Sequence, residues 1–465
     1  MVASYSAAQQ AGFAFVVLAL VLLAAGVLRR TLPFLRTLHI PAAVVAGFLI
    51  LLLGPQVLGE LTGTSGIFPA SSLDTWRVLP GLLINVVFGA IMIGKRIPSA
   101  STLWNAAAPP AIFGSVLSFG QFALGSWAVI LVLRPLFHIE PEAGALLEMS
   151  FAGGHGTIAG MGRLLEANGA GHLVDLGLGL ATVSMVTGIV VGAFLVNWAI
   201  SSPRVTVART TPVADDETLD LDAVRLEADG PDTSANESGM TSFVFGFALV
   251  GAAIAIGIVI LELMRWVAHQ LGSDIFDAFP LFPLTVIGSL IVQLAVTRLG
   301  QGHRIEKQAV SGVSAFALDI LIASAIGTMS LATLGHNIPA LVIFTIVGVL
   351  WSVVGLLVLG PRIHPANWFE HAIADFGQSQ GNVATGFVLA DMADPDRRTT
   401  AANDYGYKQL LYEPLLGGGI LTALSVPLIA DLGIQAFAVG TTILTVVLIV
   451  AGMRNCRGAA RRLRG

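Results

Sequence analysis

Apolar residues fill this chain in long runs, and short polar stretches punctuate them. Eleven runs have the length of a bilayer crossing: 11–28, 40–58, 79–94, 104–133, 173–200, 242–264, 279–297, 313–334, 338–359, 410–430 and 434–453. A crossing helix takes about 20 mostly apolar residues, because in lipid the backbone must satisfy its own hydrogen bonds. Two further stretches, 143–165 and 369–391, are apolar but broken by glycine and polar residues. The first holds Phe151-Ala-Gly-Gly-His155-Gly-Thr157, and the second Phe376-Gly-Gln-Ser-Gln-Gly-Asn382-Val-Ala-Thr385-Gly386. Non-helical backbone at membrane depth survives only where protein buries it or water reaches it. Both stretches therefore read as re-entrant hairpins that enter the membrane and return to the same side. Pro109-Pro110 and Pro135 are expected to kink or end the fourth run.

The runs pair up between the two halves. Run starts 11 and 242, 40 and 279, 79 and 313, 104 and 338, 143 and 369, and 173 and 410 differ by offsets between 226 and 239. Ile40-Pro-Ala-Ala-Val-Val-Ala-Gly47 also resembles Phe282-Pro-Leu-Thr-Val-Ile-Gly288. Five crossings per half is an odd number, so the second half is expected to insert upside down. The predicted fold is all-α and polytopic: two inverted repeats of five transmembrane helices, each with a re-entrant hairpin, plus an extra C-terminal helix. In residue ranges, the first repeat is 1–200, an acidic linker 201–241, the second repeat 242–430, and the extra span with a basic tail 431–465.

Composition agrees. The chain of 465 residues is 55% hydrophobic and 11% charged, whereas a soluble domain carries about 25% charged residues. The linker holds nine acids and few large apolar groups, a composition that cannot order itself by burial. Arg29 and Arg30 follow the first run rather than precede it, unlike a cleaved signal peptide. With the N-terminus outside, most basic residues fall on inward-facing segments. These include Arg362, Arg397, Arg398 and Lys408 beside the second hairpin, and a tail with Arg454, Arg457, Arg461, Arg462 and Arg464. The expected location is the inner membrane of the cell, with a cytoplasmic C-terminus. Trp104, Trp127, Trp198, Trp266 and Trp368 near run ends read as an interfacial belt. There is no zinc-type Cys/His spacing, no nucleotide loop ending in Gly-Lys-Ser/Thr, and no basic patch for nucleic acid. Cys456 stands alone. No cofactor and no catalytic residue is expected.

Paired broken segments in corresponding positions of two halves mark the solute site of a secondary transporter. Half-helix N-termini offer free N–H groups to a carboxylate, and unwound carbonyls suit Na⁺. The candidate substrate-binding set is Ser150, Gly153, Gly154, His155, Gly156, Thr157, Gln378, Ser379, Gln380, Gly381, Asn382 and Thr385. His155 either contacts the solute or fixes the first hairpin. Asn85 and Asp319 lie six residues past their run starts in paired runs. A carboxylate within a crossing is costly, so Asn85, Asp319 and Asp391 are ion-coupling candidates. Asp375, His371 and Glu148, like Asp391, flank the hairpins and are expected at their solvated mouths.

These residues resemble the glutamate:sodium symporter family of bacteria. The likeness rests on Ile40-Pro41 with Gly47, on Gly153-Gly-His155-Gly-Thr157, and on Gly381 to Met392. It implies sodium-coupled glutamate uptake, an elevator-like movement and a homodimer. Its matching site positions are Gly153, Gly154, His155, Gly156, Thr157, Gly377, Gly381, Ala384 and Thr385. The family usually has a proline where Gly386 stands, and often an amide where Asp391 stands.

The leading expectation is a symporter of Na⁺ with glutamate or a similar small carboxylate. The alternative is a proton-coupled or sodium-coupled carrier of another organic anion. A membrane hydrolase using Ser150 or Ser379 with His155 is a distant alternative, because no Gly-x-Ser-x-Gly elbow is present. A passive channel suits closed hairpins less well than alternating access does.

Overall fold

The computed structural model describes residues 6–37, 40–95, 100–202, 242–395 and 397–462. The predicted linker therefore falls outside the described residues from position 203 to 241. Among the described residues all regular structure is helical. The chain runs through α1 (Ala7–Thr31), α2 (Ala42–Leu53), α3 (Ala70–Ala90), α4 (Ala100–Ala128), α5 (Leu146–Phe151), α6 (Gly154–Gly160), α7 (Leu173–Ser201) and α8 (Ser242–Gln270). It continues through α9 (Phe282–Arg298), α10 (Lys307–Thr328), α11 (Ile338–Val354), α12 (Trp368–Ser379), α13 (Val383–Ala393), α14 (Ala401–Tyr412), α15 (Ile420–Leu432) and α16 (Ile434–Arg462). Short helical turns join some of them.

Eight helical stretches among the described residues are long and apolar enough to cross a membrane. They correspond to predicted runs one, two, four, five, six, eight, nine and eleven. The other three runs differ. Run 79–94 lies at the C-terminal end of α3, which begins at Ala70 and carries Pro80 inside it. Run 279–297 is α9, which has 17 residues. Run 410–430 is not one helix: α14 stops at Tyr412, and α15 starts only at Ile420. Pro414 and the triplet Gly417-Gly418-Gly419 occupy the gap. Run 313–334 also ends early, because α10 closes at Thr328 and a separate turn, Leu331–His336, follows. Pro109 and Pro110 do not end the fourth run, since both lie inside α4.

The helices gather into two bodies. In the first, α1 packs on α2 and α3, α8 packs on α9 and α10, and α2, α3, α9 and α10 interlock between them. Small residues permit this closeness, as they do wherever helices associate in lipid. A Cβ at Gly47 would stand 2.6 Å from that of Ile326, and one at Gly327 would stand 2.7 Å from that of Ile50. The second body holds α4, α7, α11, the four short helices α5, α6, α12 and α13, and α14 to α16. The C-terminal helix α16 lies along α4, and Trp127 Nε1 donates to Thr442 Oγ1 at 3.0 Å. Trp104, Trp198 and Trp266 are exposed, as an interfacial belt requires. Between the bodies runs an apolar cleft of about 290 Å³, lined by Leu28, Leu35, Val44, Phe48 and Leu52 on one side and Val186 of α7 on the other.

Candidate functional site

Both glycine-rich interruptions break the helix where the sequence places them. In the first, the N–H groups of Ala152 and Gly153 both reach Glu148 O, at 3.0 and 3.1 Å. The chain then turns through Gly154 at φ +74°, a conformation that glycine adopts without strain. Thr157 Oγ1 donates back to Gly153 O at 2.9 Å. In the second, α12 ends at Ser379, and Asn382 caps α13 by accepting from Thr385 N–H at 3.0 Å and Thr385 Oγ1 at 3.3 Å. That cap leaves the start of α13 ordered without help from elsewhere. Arms α12 and α13 pack on each other.

The two breaks meet. A Cβ at Gly154 would stand 3.2 Å from Gly381 O. A third elbow, in the gap of the broken tenth run, closes on the first break. Gly417 and Gly418 have φ of +64° and +104°. A Cβ at Gly417 would lie 3.5 Å from Ala152 O, and one at Gly418 would lie 2.6 Å from Thr157 Oγ1. Three unwound segments thus converge on a small volume bounded by Gly154, Thr157, Gly381 and Gly418.

The second body pins both tips. His155 Nε2 lies 2.9 Å from Thr182 Oγ1 on α7. That hydroxyl already donates to Leu178 O at 2.9 Å, so the His155 ring nitrogen is the donor. This contact ties the first break to α7. Gln121 Nε2 on α4 donates to Ser379 O at 2.7 Å. Gln380 Nε2 donates to Gly348 O on α11 at 3.1 Å, and Ser379 Oγ meets Ser352 Oγ at 3.2 Å. Gln378 turns away from the tip: its amide pairs reciprocally with Gln409 at 3.0 and 3.1 Å. Gly153 packs on its own turn against Thr157, and Gly156 faces Ile84 of α3 and Leu321 of α10. Several buried polar atoms at the tips have no partner in the protein: Ser150 Oγ, Gln121 Oε1 and Gln380 Oε1. Each costs about 1–3 kcal/mol unless something else satisfies it.

The charged neighbours of the hairpins are not where the sequence analysis expects them. Glu148 and Asp375 are 0% and 1% exposed rather than solvated. His371 is largely buried too, donating to Asp404 Oδ2 at 3.0 Å and stacked on His364. Only Asp391 lies at a solvated edge, 3.9 Å from Arg397. Lys408 is not an inward-facing basic flank. It is 1% exposed, ion-paired with Asp375 Oδ1, bonded to Gln378 Oε1 at 2.7 Å, and 4.1 Å from the centre of the Tyr412 ring. The charge count used for orientation could not find it, because it treats every lysine outside an apolar run as wet.

Asn85 Nδ2 donates to its own helix, to Gly81 O at 3.0 Å and Leu82 O at 3.1 Å. Asp319 stands on the exposed face of α10 near the exposed Phe316. Neither belongs to the converging elbows. Gly386, where a proline was expected, has a packing reason. A Cβ at Gly386 would lie 2.6 Å from Ala374 O, and one at Gly377 would lie 2.7 Å from Gly386 Cα. The two arms therefore cross glycine on glycine.

No curated protein matches the chain. A family model described as sodium/glutamate symporter matches residues 9–361. That stretch takes in the first glycine-rich break and ends before the second.

Proposed function

Because the chain belongs to the sodium/glutamate symporter family, a family of membrane transporters, we propose that it is a secondary carrier coupling Na⁺ entry to uptake of glutamate or a similar small carboxylate. The observation that carries this reading is the contact between Gly154 and Gly381, where the breaks of two separate segments share one buried spot. Broken helices meeting at one point are how transporters present backbone N–H and C=O groups to a solute and its ion. On this reading the carboxylate lies against Ser150, Gly153, Gly154, Gly156 and Thr157 of one hairpin and Gly381, Asn382 and Thr385 of the other. Ser379 and Gln380 shape the tip, while His155 and Gln378 hold it. Ser150 Oγ and Gln380 Oε1 are its unsatisfied polar atoms.

The helix neighbours support an inverted repeat over 1–200 and 242–430. Exchanging α1 with α8, α2 with α9 and α3 with α10 turns most contacts of the first body into others, α1 with α2 into α8 with α9 and α2 with α10 into α9 with α3, although α3 with α8 has no such counterpart. In the second body, α4 with α14 corresponds to α11 with α7 in the same way. The hairpins then enter from opposite faces, and the second body carries both. Sliding of that body against the first is the elevator-like step, with a homodimer built on the static body and the N-terminus outside. Among the ion-coupling candidates, Asn85, Asp319 and Asp391 have less support, because none touches the elbows.

Flux into liposomes tests the proposal. Labelled glutamate is expected to accumulate under an inward Na⁺ gradient and not under choline. Accumulation driven by a pH gradient alone overturns sodium coupling, and substrate cleavage without flux overturns carriage.

A further inference from the structure

Glu148 on α5 and Asp375 on α12 are fully buried carboxylates on the first arms of the two proposed hairpins, and Glu370 at the start of α12 is buried as well. Glu148 and Asp375 differ by 227 positions, within the offset of the repeat. Their surroundings are not equivalent. Asp375 has a resident cation, the buried Lys408 ammonium. That cation is held between Asp375, Gln378 Oε1 and the Tyr412 ring. Room for it is made by Gly114 of α4, where a Cβ would lie 2.5 Å from Nζ. Lys408 is also within electrostatic reach of Glu413.

Glu148 has no such partner. Among the described residues, no Lys or Arg lies within ion-pair distance of it. Its Oε1 accepts from Gly417 N–H at 3.0 Å and from Thr422 Oγ1 at 3.1 Å. Its Oε2, equally buried, accepts nothing from the protein. A carboxylate taken out of water and left without a counter-charge costs several kcal/mol. Two donors on one oxygen do not offset this, so Oε2 takes a positive charge, a proton or a metal cation.

We propose that Glu148 is the carboxylate that takes the coupling Na⁺, and that Lys408 permanently fills the corresponding cation position at Asp375. The inference rests on the symport reading and deepens it by naming the ion's ligand. Of the two pseudo-equivalent acids, Asp375 keeps a resident ammonium and Glu148 takes the exchangeable cation. Its arrival alters the same carboxylate that holds Gly417 and Thr422, and so reports ion occupancy to the elbow lying on Thr157.

The test measures Na⁺ alone, on the full-length protein in lipid nanodiscs, by ²²Na⁺ binding and by thermal shift against choline chloride at fixed pH. Wild type is expected to show saturable binding and a saturable rise in Tm. Glu148→Gln is expected to weaken Na⁺ by about tenfold or more, while the exposed Asp74→Asn leaves it unchanged. A folded Glu148→Gln protein with wild-type Na⁺ binding overturns the proposal, as does a stabilisation that follows pH and ignores Na⁺. Should Glu148→Gln fail to fold, Glu148→Asp carries the test. The shortened carboxylate is expected to shift half-saturation by about threefold or more, and an unchanged value overturns the assignment. No solute enters the assay, so a failure of glutamate uptake with this Na⁺ response intact sinks the substrate reading alone.

Discussion

Single residues decide whether the elbows can form. At Gly154 an added Cβ meets both a left-handed backbone and Gly381 O. Gly154→Ala is expected to abolish uptake while leaving the protein expressed, as measured by liposome flux beside size-exclusion profiles. At Gly386, Ala374 O and the Tyr405 hydroxyl leave no space. Gly386→Ala is expected to destabilise by about 1–3 kcal/mol through overpacking, read as a lowered Tm. The partner of His155 is Thr182. Thr182→Val is therefore expected to lower Tm and uptake rate with an unchanged KM for solute, whereas a raised KM would put His155 against the solute. Most of these glycines and hydroxyls are legible from sequence as breaks in the helices, because polar residues inside apolar runs stand out. Lys408 was not, since a buried lysine and a wet one look alike until the partners Asp375 and Tyr412 are known. Glu148 and Asp375 differ from expectation for the same reason: burial beside a helix break leaves no mark on local hydropathy.

At the level of elements, eight of the eleven predicted crossings match helices long and apolar enough to span a membrane, because lipid demands continuous apolar length. Hydropathy failed where packing inside protein replaces lipid as the solvent. The gap between α14 and α15 packs on the first break and on Phe88 of α3, so protein and not lipid surrounds much of its unwound backbone. Pro414 and three consecutive glycines announced the break, but the apolar residues on either side masked it in a 20-residue window. Helix α16 looked like an appendage because it has no counterpart in the first half. Its packing along α4 and the Trp127–Thr442 hydrogen bond make it part of the second body. Removing residues 434–465 is expected to cost the folded state itself and not merely a tail, as judged by loss of a monodisperse peak in detergent.

For the whole molecule, the separation into two bodies makes a mechanical prediction. In a background with Cys456→Ser, Gly160→Cys with Phe282→Cys would bridge the bodies, since a Cβ at Gly160 lies 2.7 Å from the Phe282 ring. Trp127→Cys with Thr442→Cys would bridge α4 and α16 inside one body. Mercury crosslinking is expected to stop uptake in the first pair by about tenfold or more and to spare it in the second, relative to each uncrosslinked protein. Equal inhibition in both would contradict relative movement of the bodies. The cleft between Val44, Phe48 and Val186 has a consequence of its own. Its walls offer no polar group to guide a partner, and fatty acyl tails are the natural filling for such a gap. Turnover should therefore follow the fluidity of the surrounding lipid, dropping sharply when saturated tails freeze into the gel phase, while sodium affinity at Glu148 stays the same.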